Sequence, residues 1–153
     1  METAFLATSG ADPGEGAAFA LGAAIVPLSS GDAWVGGGID SRSGSLAATA
    51  REFRADTRRF DVADAQALPR VWGPIRPLDN TGTVAWGCGW RDLARSSEIS
   101  SLDLFNVESG ASIAPVELVE ARSGCELTVL PDGAILVSGG GSATAEIVVP
   151  YWP

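Results

Sequence analysis

The side chains that most enzymes use to move protons and groups are missing from this 153-residue chain. It has no histidine, and all ten of its basic residues are arginine. That removes Ser-His-Asp and Cys-His nucleophile systems, Schiff-base lysines, phosphate-loop lysines and histidine metal ligands. Carboxylate pairs remain, such as Asp61 with Asp64 and Glu117 with Glu120. Without a cleft to seat them, such pairs are solvated surface. The stretch "DSRSGS" (40–45) is arranged like a calcium loop but offers a single carboxylate. "GCGW" and "GEGAAFALG" lack the spacing of a dinucleotide fingerprint. The sequence therefore assigns no catalytic residue, no cofactor-binding residue and no metal ligand, and no cofactor is expected.

What remains is binding chemistry. Two loops, "IDSRSGSLAAT" (39–49) and "WRDLARSSE" (90–98), carry Asp40, Arg42, Trp90, Arg91 and Asp92. These residue types anchor protein interfaces and sugars. Trp90 has a second reading, as packing between neighbouring sheets. The partner class is a protein or a glycan. Nucleic acid is a poor fit, because the net charge is −9 and phosphate backbones call for a basic face. The one Arg cluster, Arg51, Arg54, Arg58 and Arg59, is interleaved with Glu52, Asp56 and Asp61, which predicts a salt-bridged, solvated face. No stretch has the length and polarity of a membrane span or the layout of a signal peptide, so no membrane partner is expected and the compartment stays open. Cys88 and Cys125 are too few for a disulfide framework. They are expected as free buried thiols, with a single bridge as the alternative.

The elements that position these loops come from an internal repeat. "LSSGDAWVGGG", "LDNTGTVAWGCG" and "LPDGAILVSGG" place turn glycines at Gly31, Gly82 and Gly133, spaced by 51 residues twice. Seven residues after each stands a second glycine: Gly38, Gly89 and Gly140. An apolar run, a glycine turn and a second apolar run predict a β-hairpin. "SLDLFNV" and "AEIVVP" supply third strands, and "FDV" near 60 and residues 111–118 supply fourth strands. Arg70 and Arg122 precede their turn glycines by 12 and 11 residues, the difference being the longer second turn. Four short strands in about 50 residues make a small antiparallel sheet that must stack on its neighbours.

These elements resemble kelch-type repeats, in particular the bacterial galactose-oxidase-like variety, in which a double glycine and an Arg before the first strand recur. Phe60 stands where that family carries a fourth-strand Trp in copy one; copies two and three lack it, copy one lacks the Arg, and Cys88 replaces the first glycine of copy two. WD-type and Asp-box propeller repeats are excluded by the missing residues, and a generic β-sandwich leaves the doubled spacing unexplained. The resemblance implies an all-β chain of about three four-stranded propeller blades, a partial propeller or half of an oligomeric one. Residues 1–17 form an N-terminal segment with "TAFLAT" (3–8) as a closing strand, 18–68 blade 1, 69–118 blade 2, and 119–153 an incomplete blade 3. The implied function is a non-catalytic protein- or carbohydrate-binding scaffold. The alternative is a fragment of a larger galactose-oxidase-like or other propeller enzyme whose catalytic residues lie elsewhere, since the copper chemistry of that family needs histidine. Three blades cannot close a ring, so the missing blades come either from a longer chain or from a head-to-tail homodimer.

Overall fold

The computed structural model describes residues 20–40, 43–63 and 69–150. All the regular structure among them is antiparallel strand, in agreement with the expected all-β class. A two-stranded ribbon pairs β1 (Ala20–Leu21) with β4 (Ile39–Asp40). The first sheet runs β2 (Ala24–Pro27), β3 (Ala33–Gly36), β5 (Arg51–Arg54), β6 (Arg59–Val62). The second runs β7 (Ile75–Pro77), β8 (Thr83–Gly87), β9 (Ile99–Asn106), β10 (Ser112–Arg122). The third runs β11 (Cys125–Val129), β12 (Ile135–Gly139), β13 (Ala145–Val148). Each is a meander in sequence order, and the first strands of successive sheets lie side by side, β2 against β7 and β7 against β11. The proposed closing strand at 3–8 lies outside the described residues.

Turn chemistry sets the hairpins. Gly31, Gly82 and Gly133 sit at φ +90°, +86° and +84°, a region that only glycine enters without a Cβ clash. In the shorter turns the glycine N–H donates to the leucine that closes the first strand, Gly31 to Leu28 at 3.1 Å and Gly133 to Leu130 at 2.9 Å. The longer second turn is held by Asp79, whose carboxylate accepts the N–H of Thr81 and Thr83 at 2.8 and 3.0 Å.

The period-2 alternation of strands, combined with the repeat, fixes how the sheets stack. The residue three past each turn glycine faces the next sheet, and the residue four past it faces the previous one. Trp34, three past Gly31, meets Trp86, four past Gly82, edge to face at 5.6 Å, with Phe105 packed against both. These rings join Val26, Ile75, Val84 and Val107 in one core between the first and second sheets. On the other face of the second sheet, Ala85, Leu102 and Leu104 meet Leu127, Ile135 and Val137 of the third. The middle sheet is thus buried on both faces, which is why β8 is buried at every residue.

Two arginines are buried completely in these layers. Arg70 donates to the Trp86 carbonyl at 2.9 Å and pairs with Asp103; Arg122 donates to the Gly139 and Thr144 carbonyls at 2.9 Å and to Glu146 at 3.2 Å. Asp103 lies opposite Trp86 and Glu146 opposite Val137, the same position in each repeat. Burial lowers the Arg70 pKa and the Asp103 carboxylate opposes that shift. In the first sheet the position opposite Val35 holds Arg51 rather than an acid, so copy one lacks both halves of the pair. The second glycines have a related task. A Cβ on Gly89 would sit 2.6 Å from the Val71 carbonyl, and one on Gly140 would sit 2.8 Å from the Ser123 carbonyl.

The cysteines overturn the free-thiol expectation: Cys88 and Cys125 form a disulfide with Cα atoms 6.1 Å apart. The repeat explains the proximity. Cys88 replaces the first glycine of the pair, and in copy one that glycine, Gly37, lies against the Arg70 carbonyl of the next sheet. Cys88 lies correspondingly against the start of the third sheet. It keeps the left-handed backbone of its glycine counterparts, φ +55° beside +67° at Gly37 and +78° at Gly139.

Four variants test these contributions to stability. Gly133→Val, which meets no neighbouring atom, should cost about 1–3 kcal/mol through backbone strain. Gly89→Ala should lose about 1–3 kcal/mol beyond its own strain, because its Cβ meets main-chain atoms. Removing the bridge as Cys88→Ala with Cys125→Ala should cost about 3–4 kcal/mol for a crosslink across 37 residues. Cys88→Gly with Cys125→Ala should recover about 1 kcal/mol of that loss, since glycine accepts the left-handed backbone. Denaturant titrations of the five proteins, wild type included, measure all of these differences.

Candidate functional site

Antiparallel meanders put their hairpin turns at one end and their longer connections at the other. The longer connections are 37–50 in the first sheet, 88–98 in the second, and the links that lead into the second and third sheets. At this loop end an open pocket of about 330 Å³ is lined by Trp72, Trp90, Arg95, Ser123 and Gly124. Trp72 comes from the link into the second sheet, Trp90 and Arg95 from the 88–98 loop, and Ser123 and Gly124 from the link into the third.

Local structure holds each wall. Trp90 is pinned by reciprocal main-chain hydrogen bonds with Val71, both 3.1 Å, and bridges Glu98 on its other side. Glu98 in turn accepts the Ser123 hydroxyl at 2.5 Å, tying the loop to the rim contributed by the third sheet's link. Trp72 is exposed, and the Arg95 guanidinium lies over its ring, 4.3 Å from the centroid. The Trp72 main-chain N–H donates to the Gly22 carbonyl at 3.2 Å, so the turn between β1 and β2 also braces the site.

Backbone strain concentrates here. Four non-glycine residues have positive φ, Arg58, Trp72, Cys88 and Arg95, among the described residues. Trp72 and Arg95 line the pocket, and Cys88 begins its loop two residues before Trp90. Side chains with Cβ atoms hold this conformation only where the surroundings over-determine it. Here the surroundings are the Val71–Trp90 pairing, the disulfide and the stacked arginine.

The residues expected from the sequence divide. Trp90 lines the pocket and is half-buried. Asp92 instead organises its own loop: its Oδ1 accepts the Ser96 N–H at 3.1 Å, and the Asp92 carbonyl accepts the Arg95 N–H. Arg91 is exposed and holds the loop through its main chain, its N–H donating to the Ser97 carbonyl at 2.9 Å. Asp40 belongs to the 39–47 loop of the first sheet, where its carboxylate accepts the Ser43 N–H at 3.1 Å. Arg42 lies outside the described residues. Trp72 and Arg95 were absent from the expected set. Neither belongs to the repeat, and the signal for them was only their residue type in a connecting segment.

The other end of the first sheet carries a wider, acidic hollow of Asp32, Asp56 and Asp61 around Arg54. Arg54 contacts Asp32, Glu52 and Asp61 at 3.2, 2.9 and 3.4 Å, the salt-bridged face expected of this segment. The Ala55 N–H, followed by Ser30 and Arg54, lowers the Asp32 pKa. These groups satisfy one another and leave no donor set for a ligand. No group of three His, Cys, Asp or Glu side chains suited to a metal occurs among the described residues.

No protein-family model matches the chain, and no curated protein matches it.

The Ser96 N–H holds the Asp92 carboxylate below its ordinary pKa of 3.8. A depressed carboxylate stabilises its loop while ionised, and that contribution is lost as pH falls through the folded-state value. Amide exchange at Ser96 should therefore stay slow from pH 7 to about 4 and accelerate, relative to intrinsic rates, below that. Asp92→Asn should abolish this acid dependence.

Proposed function

We propose that this chain is a non-catalytic binding scaffold built of kelch-like β-propeller blades, and that the Trp72–Trp90–Arg95 pocket is its ligand site. The blade reading rests on three meander sheets in sequence order with their first strands adjacent, on the 51-residue spacing and on the repeated buried Arg–acid pairs. The observation that carries the ligand site is the placement of Trp72 and Arg95 in left-handed backbone at one pocket rim. Strain maintained at an exposed aromatic serves presentation rather than packing.

The chemistry on offer is aromatic face, guanidinium and hydroxyl. Arg95 covers one face of Trp72, so the aromatic surface left for the apolar face of a sugar ring is that of Trp90 and the uncovered part of Trp72. Arg95, the Ser123 hydroxyl and loop carbonyls supply hydrogen bonds to the rim of that ring. A carbohydrate is therefore the ligand class these residues suit best. The buried Cys88–Cys125 bridge favours a working place outside a reducing cytosol.

A glycan array followed by titration calorimetry tests the reading. Wild type should bind a defined subset of glycans, and Trp72→Ala should weaken that binding about tenfold or more, as expected of an aromatic anchor. Its far-UV circular dichroism should match wild type, with a modestly lower melting temperature, because Trp72 is 39% exposed and the rest of its surface packs on its neighbours. Binding that survives Trp72→Ala, or an array with no hits, would overturn the assignment.

A further inference from the structure

Among the described residues, the stacking rule leaves two sheet faces unmatched. Between the first and second sheets, and again between the second and third, the face three past the turn glycine of one sheet covers the face four past the turn glycine of the next. The first sheet therefore retains an outer face of the second kind, and the third sheet an outer face of the first kind.

Equivalent residues measure what those faces lack. Ile25, Ile75 and Leu127 occupy one position, opposite Val35, Trp86 and Val137 in their sheets. Ile75 and Leu127 are 9% and 1% exposed inside the two cores, whereas Ile25 is 64% exposed. On the opposite kind of face, Leu104 and Ile147 are equivalent, facing Ala85 and Leu136. Leu104 is 2% exposed and Ile147 is 65% exposed. The outer face of the first sheet continues with Val62 and the Phe53–Phe60 pair, whose rings lie 5.2 Å apart. Arg51 shares the first of these faces, and Glu126, Thr128 and Ser138 share the second. Each is thus an exposed apolar patch interspersed with polar groups, the composition of an interaction surface.

We propose that the outer face of the first sheet seats against the outer face of the third sheet of a second copy of this chain, and reciprocally, so that two chains close head to tail. The occupant is identified by the rule the fold already uses twice. What covers Ile75 and Leu127 is a face of the Ala85–Leu104 type, and the remaining face of that type among the described residues is the Leu136–Ile147 face of the third sheet. The two faces differ, so the contact is heterologous, and it closes only if the rotation between sheets brings the ends together. Six sheets in two chains fall within the four to eight of closed propellers.

Light scattering on the purified full chain, with the single variants Ile25→Lys and Ile147→Lys, tests this. Wild type should have twice the chain mass across a tenfold dilution, and each variant alone should be monomeric. Mixed in equal amounts, the two variants should form a heterodimer at least tenfold weaker than wild type, because one of its two interfaces is intact. Far-UV circular dichroism and the emission of buried Trp34 and Trp86 should match wild type in both. If either variant unfolds, Val62→Lys and Ala145→Lys test the same two faces. A monomeric wild type, open-ended polymers, a dimer unaffected by Ile147→Lys, or variants that fail to associate on mixing would each overturn the proposal.

Discussion

Everything in this chain depends on one constraint: a small antiparallel sheet with two apolar faces must be covered on both. A sheet of four short strands cannot meet that need alone, so the repeat is the stable unit only in company. Period-2 alternation and the 51-residue spacing together send equivalent side chains in the same direction from every sheet. That common direction produces the Trp34–Trp86–Phe105 cluster on one side of the second sheet and the Leu102–Leu104–Leu127 layer on the other. It also leaves Ile25 and Ile147 in solvent at the two ends.

Polar groups inside the stack follow from the same constraint. Sheets packed this closely bury the carbonyls at the ends of their second strands, and buried carbonyls need donors. Arg70 and Arg122 supply them, with several N–H groups fanned from one planar head. A buried guanidinium must in turn be neutralised, and Asp103 and Glu146 do this from the neighbouring strand. The repeated geometry of the two pairs therefore has a structural cause. Copy one lacks the pair: it has Ala20 in the arginine's segment and Arg51 opposite Val35, on the outer face of the first sheet rather than in a layer between sheets.

The sequence made the periodic parts of this structure legible. The turn glycines, the third strand at "SLDLFNV" and the recurrence of the two arginines all lie in the repeat, where the copies constrain one another; the burial of those arginines was not legible. The disulfide was legible only as an alternative, because two cysteines allow either one bridge or two free thiols, and a cysteine in a glycine position reads as simple drift. Only the three-dimensional relation of Gly37 to the next sheet shows that Cys88 faces Cys125. The pocket was half legible. Trp90 stands out in a long loop, but Asp92, whose residue type suits a ligand group, uses its carboxylate to cap its own loop. Trp72 and Arg95 carry no periodic signal, and their significance comes from backbone angles that composition does not encode.

The placement of strain connects the fold to the site. Trp72 and Arg95 hold left-handed backbone in segments that would relax if free, and each costs on the order of 1–2 kcal/mol there. Those segments are not free. Trp72 follows Val71, which is buried and paired with Trp90, and Val71 follows Arg70, anchored in the core. The 88–98 loop begins at a disulfide into the third sheet and ends at Ile99, whose N–H returns to the Gly89 carbonyl at 3.1 Å. The binding energy of a pocket is realised only to the extent that its walls are ordered beforehand. Stacking two sheets orders both of these segments at once, so the burial that makes the repeats cohere also presents an exposed tryptophan in a single orientation.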